Sequence, residues 1–239
     1  MPTARITVDS TLRGIFAREE GPVIKAKPWN WDKVDEAYWL EPEGEVRALL
    51  ERWKAAGFSR VLDLGCGLGR HALLFARSGF AVAGFDLSEI GLGKLKEQAA
   101  AEGLRVLAAH GDLRELPFLD GAFDCVLAYR SIYHCDYQGL VESLGHARRV
   151  LAPDGELFAN FLSKDSPYFK TGEGATDDPR VRMKVEEGGA VLPHCYLDED
   201  ELRALLSGFV LRGIRLDAES ERPGASRYFT VIAARAGGP

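Results

Sequence analysis

Between residues 58 and 162 short apolar runs alternate with stretches whose apolar positions recur every three to four residues. Arg60–Leu64, Ala81–Asp86, Arg105–Ala109, Asp124–Tyr129 and Glu156–Leu162 read as strands, the last entered through a Pro153-Asp154-Gly155 turn. The stretches between them, Arg70–Ser78, Ser88–Glu102 and Tyr137–Leu151, read as helices, with Ser88 as a cap. Strands that alternate with helices predict parallel pairing through right-handed crossovers, and so a doubly wound α/β sheet. Upstream, Val46, Leu49, Leu50 and Trp53 fall at i, i+3, i+4 and i+7, a helix that Gly57 stops. Residues 1–40 have no period but carry Phe16, Trp29, Trp31, Tyr38 and Trp39, an arm with enough aromatic surface to dock on the rest or cover a ligand.

After Ser163 the alternation stops for about thirty residues, long for a loop and usual for a functional insertion. Within it Val181, Met183 and Val185 alternate with Arg182 and Lys184 ahead of Gly188-Gly189, the pattern of a short hairpin. Asp198 with Glu201 forms a capping-box pattern opening a helix with Leu202, Leu205 and Leu206. Leu211–Leu216 and Tyr228–Ala233 then read as two closing strands. No repeat or linker interrupts the chain, which predicts one domain over residues 1–239. Its parts are an arm (1–40), a core (58–162), an insertion (163–196) and a C-terminal helix with two strands (197–235).

Thirty Lys and Arg against 36 Asp and Glu give a net charge of −6, which leaves no positive field for a phosphate backbone and argues against a nucleic-acid partner. No apolar run is long enough to span a bilayer, and Arg5, Asp9, Arg13 and Arg18 stand where a signal peptide is apolar, so a cytoplasmic location with no membrane association is expected. Four cysteines without CxxC spacing fit reduced thiols. Oligomeric state is left open between monomer and homodimer.

The most informative stretch is Val61-Leu62-Asp63-Leu64-Gly65-Cys66-Gly67-Leu68-Gly69, a strand running into a glycine-rich turn at a helix start. Such a turn lets a nucleotide-like ligand approach the backbone, with the helix amides facing it. A dinucleotide fingerprint would need its third glycine where Arg70 stands. Asp63 would also set a carboxylate against the ligand, which repels a pyrophosphate and suits a sulfonium or ammonium. A nicotinamide-dependent oxidoreductase is therefore the less favoured reading.

These residues resemble the first motif of class I S-adenosylmethionine (SAM) dependent methyltransferases, and the likeness extends over residues 58–162. It takes in Phe123-Asp124-Cys125-Val126-Leu127-Ala128-Tyr129, similar to the family's fourth strand, and Arg148–Glu156, similar to its approach to the fifth. The resemblance implies a mostly parallel seven-stranded sheet with an antiparallel C-terminal ending. It implies SAM as cofactor, with S-adenosylhomocysteine as product. It assigns cofactor contacts to Asp63, Gly65, Cys66, Gly67 and Tyr129, the ribose hydroxyls to Asp86, the adenine amino group to Asp112, and the adenine faces to Leu87 and Leu113.

The base-methylating members carry an (Asp/Asn)-Pro-Pro-aromatic element where this chain has Tyr129-Arg130-Ser131-Ile132, so a small-molecule acceptor is expected. The tail from Tyr196 is similar to methyltransferases of the tellurite and thiopurine type. His134 stands where many members carry a histidine facing the acceptor and is the candidate catalytic residue. His134-Cys135 and His194-Cys195 together offer a zinc-like ligand set, but their spacing is not that of a zinc finger, and no metal is expected. Arg180, Arg182 and Lys184 face either solvent or an acidic acceptor. Because no residue of the chemical step is fixed by the sequence, a non-catalytic SAM-binding regulator stays open beside the enzyme.

Overall fold

A computed structural model describes residues 28, 29, 31, 39–186, 189–218 and 225–236. Phe16 and Tyr38 of the arm and Gly188 of the hairpin turn lie outside the described residues. The chain runs α1 (Gly44–Ala55), β1 (Arg60–Leu64), α2 (Arg70–Arg77), β2 (Ala81–Asp86), α3 (Glu89–Ala101), β3 (Val106–His110), β4 (Phe123–Ala128), α4 (Tyr137–Val150) and β5 (Leu151–Ser163). It continues with α5 (Pro167–Thr171), β6 (Val181–Val185), β7 (Val191–Leu197), α6 (Glu199–Leu205), β8 (Phe209–Ala218) and β9 (Arg227–Arg235).

Strands β3, β2, β1, β4 and β5 pair in parallel in that order. β9 takes the far edge of β5 antiparallel and β8 pairs with β9. These seven strands are the mixed sheet that the sequence predicts. The insertion holds the hairpin that its alternation suggests, and it departs from expectation in joining the sheet. β6 and β7 form an antiparallel hairpin, and β7 pairs with β5 at Leu162 and Ser163 only. β4 occupies that edge of β5 as far as Ala159. The hairpin therefore sits beyond the carboxyl end of β4, where open α/β sheets bind ligands.

Period-two alternation divides the core between two faces of the sheet. Val61, Val82 and Cys125 meet Val46, Leu50 and Trp53 of α1, Leu73 and Phe75 of α2 and Leu95 of α3. Leu62, Leu64, Phe85 and Val126 pack on the other face with Leu140 and Leu144 of α4 and Leu202 of α6. The predicted stripe of α1 is buried as read, and Trp53 donates its indole N–H to Glu156 Oε2 on β5 (2.9 Å). Helix starts follow their caps. Ser88 accepts from Gly91 N–H, Asp136 from Gly139 N–H, and Asp198 with Glu201 closes the predicted capping box. Among the described residues no helix is long and apolar enough to cross a membrane.

Candidate functional site

The chain leaves β1 at Leu64, and the Gly65 and Cys66 N–H groups both donate to Phe85 O at the end of β2 (2.7 and 3.2 Å). Gly65 has φ +75°, and a Cβ there would lie 2.3 Å from the Ser131 Cβ. Gly67 has φ +54°, and its Cβ would lie 2.5 Å from Trp31 Cζ2. Only glycine gives both the left-handed backbone and the close approach. Asp86, where β2 ends, clamps this loop: its Oδ2 accepts from Gly67 N–H (2.8 Å) and its Oδ1 from Ser88 N–H (2.7 Å). Burial raises its pKa, and the backbone donors offset part of that rise. Each oxygen keeps a lone pair for a further donor.

A cavity of about 270 Å³ opens in front of the loop, at the point where the strand order reverses between β1 and β4. Gly65, Cys66, Gly67, Asp86 and Leu87 line one end, with Asp112 and Leu113 from the segment after β3. Asp112 is held below its ordinary pKa by Arg114, whose guanidinium takes both carboxylate oxygens. Tyr129 and Arg130 form the side wall. Arg130 adopts φ +51°, rare for a residue with a Cβ, and its N–H is fixed by Asn160 Oδ1 (3.2 Å). Its guanidinium lies over the Tyr129 and Tyr228 rings (5.3 and 5.4 Å).

The other end is aromatic. The Tyr133 and His134 rings stack at 4.6 Å, and His134 meets His194 at 4.6 Å and Trp29 at 5.7 Å. Burial first, and then the neighbouring His194, lowers the His134 pKa to about 3, so its imidazole is neutral at physiological pH. The hairpin supplies the facing wall. Its register sets Lys184 opposite Leu192 and Arg182 opposite His194, so Lys184, Leu192 and His194 share one face. Glu186 Oε1 lies 2.9 Å from Lys184 Nζ and 3.0 Å from His194 Nε2. Burial opposes its charge, yet those two partners bring the Glu186 pKa down to about 2. Cys195 N–H donates to Tyr133 O (2.9 Å), which lashes the hairpin to the His134 loop. Trp29, Trp31 and Trp39 form a roof, with centroids 5.5–5.9 Å apart.

The structure brings together Gly65, Cys66, Gly67, Asp86, Leu87, Asp112, Leu113, Tyr129 and His134, all on the cavity wall. Asp63 is the exception. Alternation along β1 turns it with Val61 toward α2, where it is 2% exposed and accepts from the Ala72 backbone N–H. It supports the glycine loop from behind and does not line the cavity, which corrects the expectation of a carboxylate set against the ligand. Among the described residues, the acids that do face the cavity are Asp86, Asp112 and Glu186.

Of the basic residues in the insertion, Arg180 pairs with Asp178 and covers Tyr137, Arg182 lies over Phe169, and Lys184 alone of the three lines the cavity. The histidines of the two His-Cys dipeptides do meet, but Cys195 belongs to the core and Cys135 donates to Ile132 O (3.2 Å). Among the described residues no three His, Cys, Asp or Glu side chains cluster to hold a metal. Sequence reasoning did not single out Arg114, Tyr133 or Glu186. The parity shared by Lys184 and Glu186 was the available signal for the last.

Residues 61–155 match the family model described as a methyltransferase domain. Methyltransferase GfsG of Streptomyces halstedii is 32% identical over 167 residues, covering 62% of this chain and 59% of the relative. The malonyl-[acyl-carrier protein] O-methyltransferase of Enterobacter lignolyticus is 30% identical over 169 residues, covering 70% of this chain and 59% of the relative. The chain thus spans 59% of the length of each of these two curated relatives. A SAM-dependent methyltransferase of Methanosarcina mazei superposes with a TM-score of 0.69 at 19% identity, over 83% of this chain and 100% of that one. The 1,6-didemethyltoxoflavin-N1-methyltransferase of Burkholderia thailandensis, solved with 1,6-didemethyltoxoflavin and S-adenosylhomocysteine, superposes with a TM-score of 0.61 at 21% identity, over 84% of this chain and 82% of that one. The solved structures share the fold, and the family model's match takes in the strand, glycine turn and helix that build the glycine-loop end of the cavity. On this sheet and these matches, residues 61–155 form a methyltransferase domain, and the chain is similar to the class I S-adenosylmethionine-dependent methyltransferases.

Proposed function

We propose that this protein binds SAM at the glycine-loop end of its cavity and transfers the methyl group, by in-line displacement, to a small molecule held at the aromatic end. The observation that carries the reading is Asp86. Its carboxylate is fixed by two backbone N–H groups at the carboxyl end of β2, faces the cavity and keeps lone pairs for vicinal hydroxyls. Asp112 extends the acidic rim, while Arg70, in the place of a third dinucleotide glycine, is 8% exposed and tied to Glu41 O and Glu43. Acids at the rim suit a cationic nucleoside, and the missing third glycine at Arg70 departs from the turn that holds a dinucleotide's diphosphate.

When bound, SAM supplies a methyl group on a sulfonium leaving group, so the protein's work is alignment and exclusion of water. Leu87 and Leu113 would bracket the adenine, Asp86 would hold the ribose and Asp112 would accept from the adenine amino group. Tyr133, His134 and the hairpin face would hold the acceptor, and the tryptophan roof would keep water out. The neutral His134 ring presents a hydrogen-bond acceptor that orients the nucleophile. A small-molecule acceptor agrees with the relative named 27-O-demethylrifamycin SV methyltransferase and with the neighbour that binds 1,6-didemethyltoxoflavin.

Titration calorimetry with S-adenosylhomocysteine tests the reading. Wild-type protein should bind it and Asp86→Ala should bind it at least tenfold more weakly, because a hydrogen bond to a charged acceptor contributes about 1.5–3 kcal/mol. Equal affinity in the two proteins would refute the ribose assignment.

A further inference from the structure

The roof of the cavity holds two buried polar atoms that pair with nothing in the protein, the indole N–H groups of Trp29 and Trp31. Trp31 is only 7% exposed. Folded proteins seldom leave a buried donor unpaired, so an unpaired N–H on a side chain that lines a cavity points to a ligand's acceptor. Trp31 is also the tryptophan whose position is built for it. Its ring rests where Gly67 has no side chain, and its Nε1 would lie 3.1 Å from a Cβ on Gly91, in the first turn of α3. These two glycines flank the Asp86 clamp, since Gly67 N–H is one of its two donors and Ser88, the other, caps the helix that holds Gly91. The unpaired N–H therefore lies at the ribose end of the site, whereas Trp29 lies over His134.

We infer that Trp31 is a cofactor-positioning residue whose indole N–H donates to an oxygen in the ribose or amino-acid half of the bound adenosyl cofactor. The inference rests on the SAM reading above and adds a contact from the arm that no motif of the core predicts. It makes the roof part of the cofactor site, the cofactor supplying the acceptor that the Trp31 N–H lacks in the protein.

Trp31→Phe keeps an aromatic ring in the berth and removes the donor. Calorimetry with S-adenosylhomocysteine should show binding about five- to tenfold weaker than wild type, the loss of one hydrogen bond, with the melting temperature of the ligand-free protein unchanged. The same titration with 5′-methylthioadenosine, which lacks the amino-acid half, locates the partner: an equal loss places it on the ribose, and a loss confined to S-adenosylhomocysteine places it on the carboxylate. Unchanged or tighter binding of both ligands by Trp31→Phe overturns the inference. If the variant does not fold, indole N–H resonances of 15N-labelled wild-type protein decide: the Trp31 proton should move downfield on saturation with S-adenosylhomocysteine, and a stationary resonance overturns the inference. Failure of wild-type protein to bind S-adenosylhomocysteine at all would instead refute the underlying cofactor assignment.

Discussion

Asp63 offers a quantitative test of how the glycine loop is supported. Its carboxyl is buried between β1 and α2, with one oxygen unpaired, and burial raises its pKa from 3.8 to about 7 against the pull of the Ala72 N–H and Arg70. A carboxyl whose folded pKa exceeds its unfolded value destabilises the fold as pH climbs from the unfolded value to the folded one, and by a constant amount above that. The gap between 3.8 and about 7, at about 1.4 kcal/mol per pH unit, sets a penalty of about 4 kcal/mol at pH 8 and about 1.6 kcal/mol at pH 5. Asp63→Asn keeps the acceptor for Ala72 and removes the charge. Urea denaturation of ligand-free wild type and variant at both pH values should therefore show the variant's advantage growing by about 2–3 kcal/mol from pH 5 to pH 8. A variant whose stability follows that of wild type in parallel across this range would refute the claim that Asp63 is an uncompensated buried acid.

Further outcomes follow from geometry already described. Glu156→Ala strands the buried Trp53 N–H and should lower stability by about 1–3 kcal/mol in urea melts. Glu156→Gln keeps an acceptor for the indole and should recover most of that, because the Arg52 partner is half exposed and its ion pair contributes little. His134→Ala should reduce methyl transfer to an acceptor found by screening while leaving S-adenosylhomocysteine affinity intact. With its wild-type pKa held to about 3, His134 should add no limb to the pH–rate profile between pH 5 and 9.

The nucleoside half of the site was legible because its chemistry is local. Gly65, Gly67 and Asp86 sit at strand ends whose positions follow from alternating apolar runs, and the sheet alone makes those ends converge. The orientation of Asp63 was not legible: its place in the motif suggests a ligand contact, while strand parity turns it toward α2. The acceptor half was harder still. β7 (Val191–Leu197) mixes Pro193, His194 and Cys195, so period two is masked on the strand that pairs with the one recognisable segment, Val181–Val185. The meeting of His134 with His194 depends on a pairing between segments sixty residues apart, which no spacing in the chain announces. Trp31 was visible as part of an aromatic arm, but its berth between Gly67 and Gly91 exists only once β1, β2 and α3 are assembled.

The bond from Cys195 N–H to Tyr133 O has a consequence for how such a protein changes its substrate. It makes the insertion's hairpin and the segment bearing the neutral imidazole a single mechanical unit, joined to the parent sheet by β-pairing at only two positions of β5. An altered turn or a longer hairpin would thus reshape the pocket and re-aim the His134 ring in the same movement. The Asp86 clamp, fastened to other strands, would stay where it is.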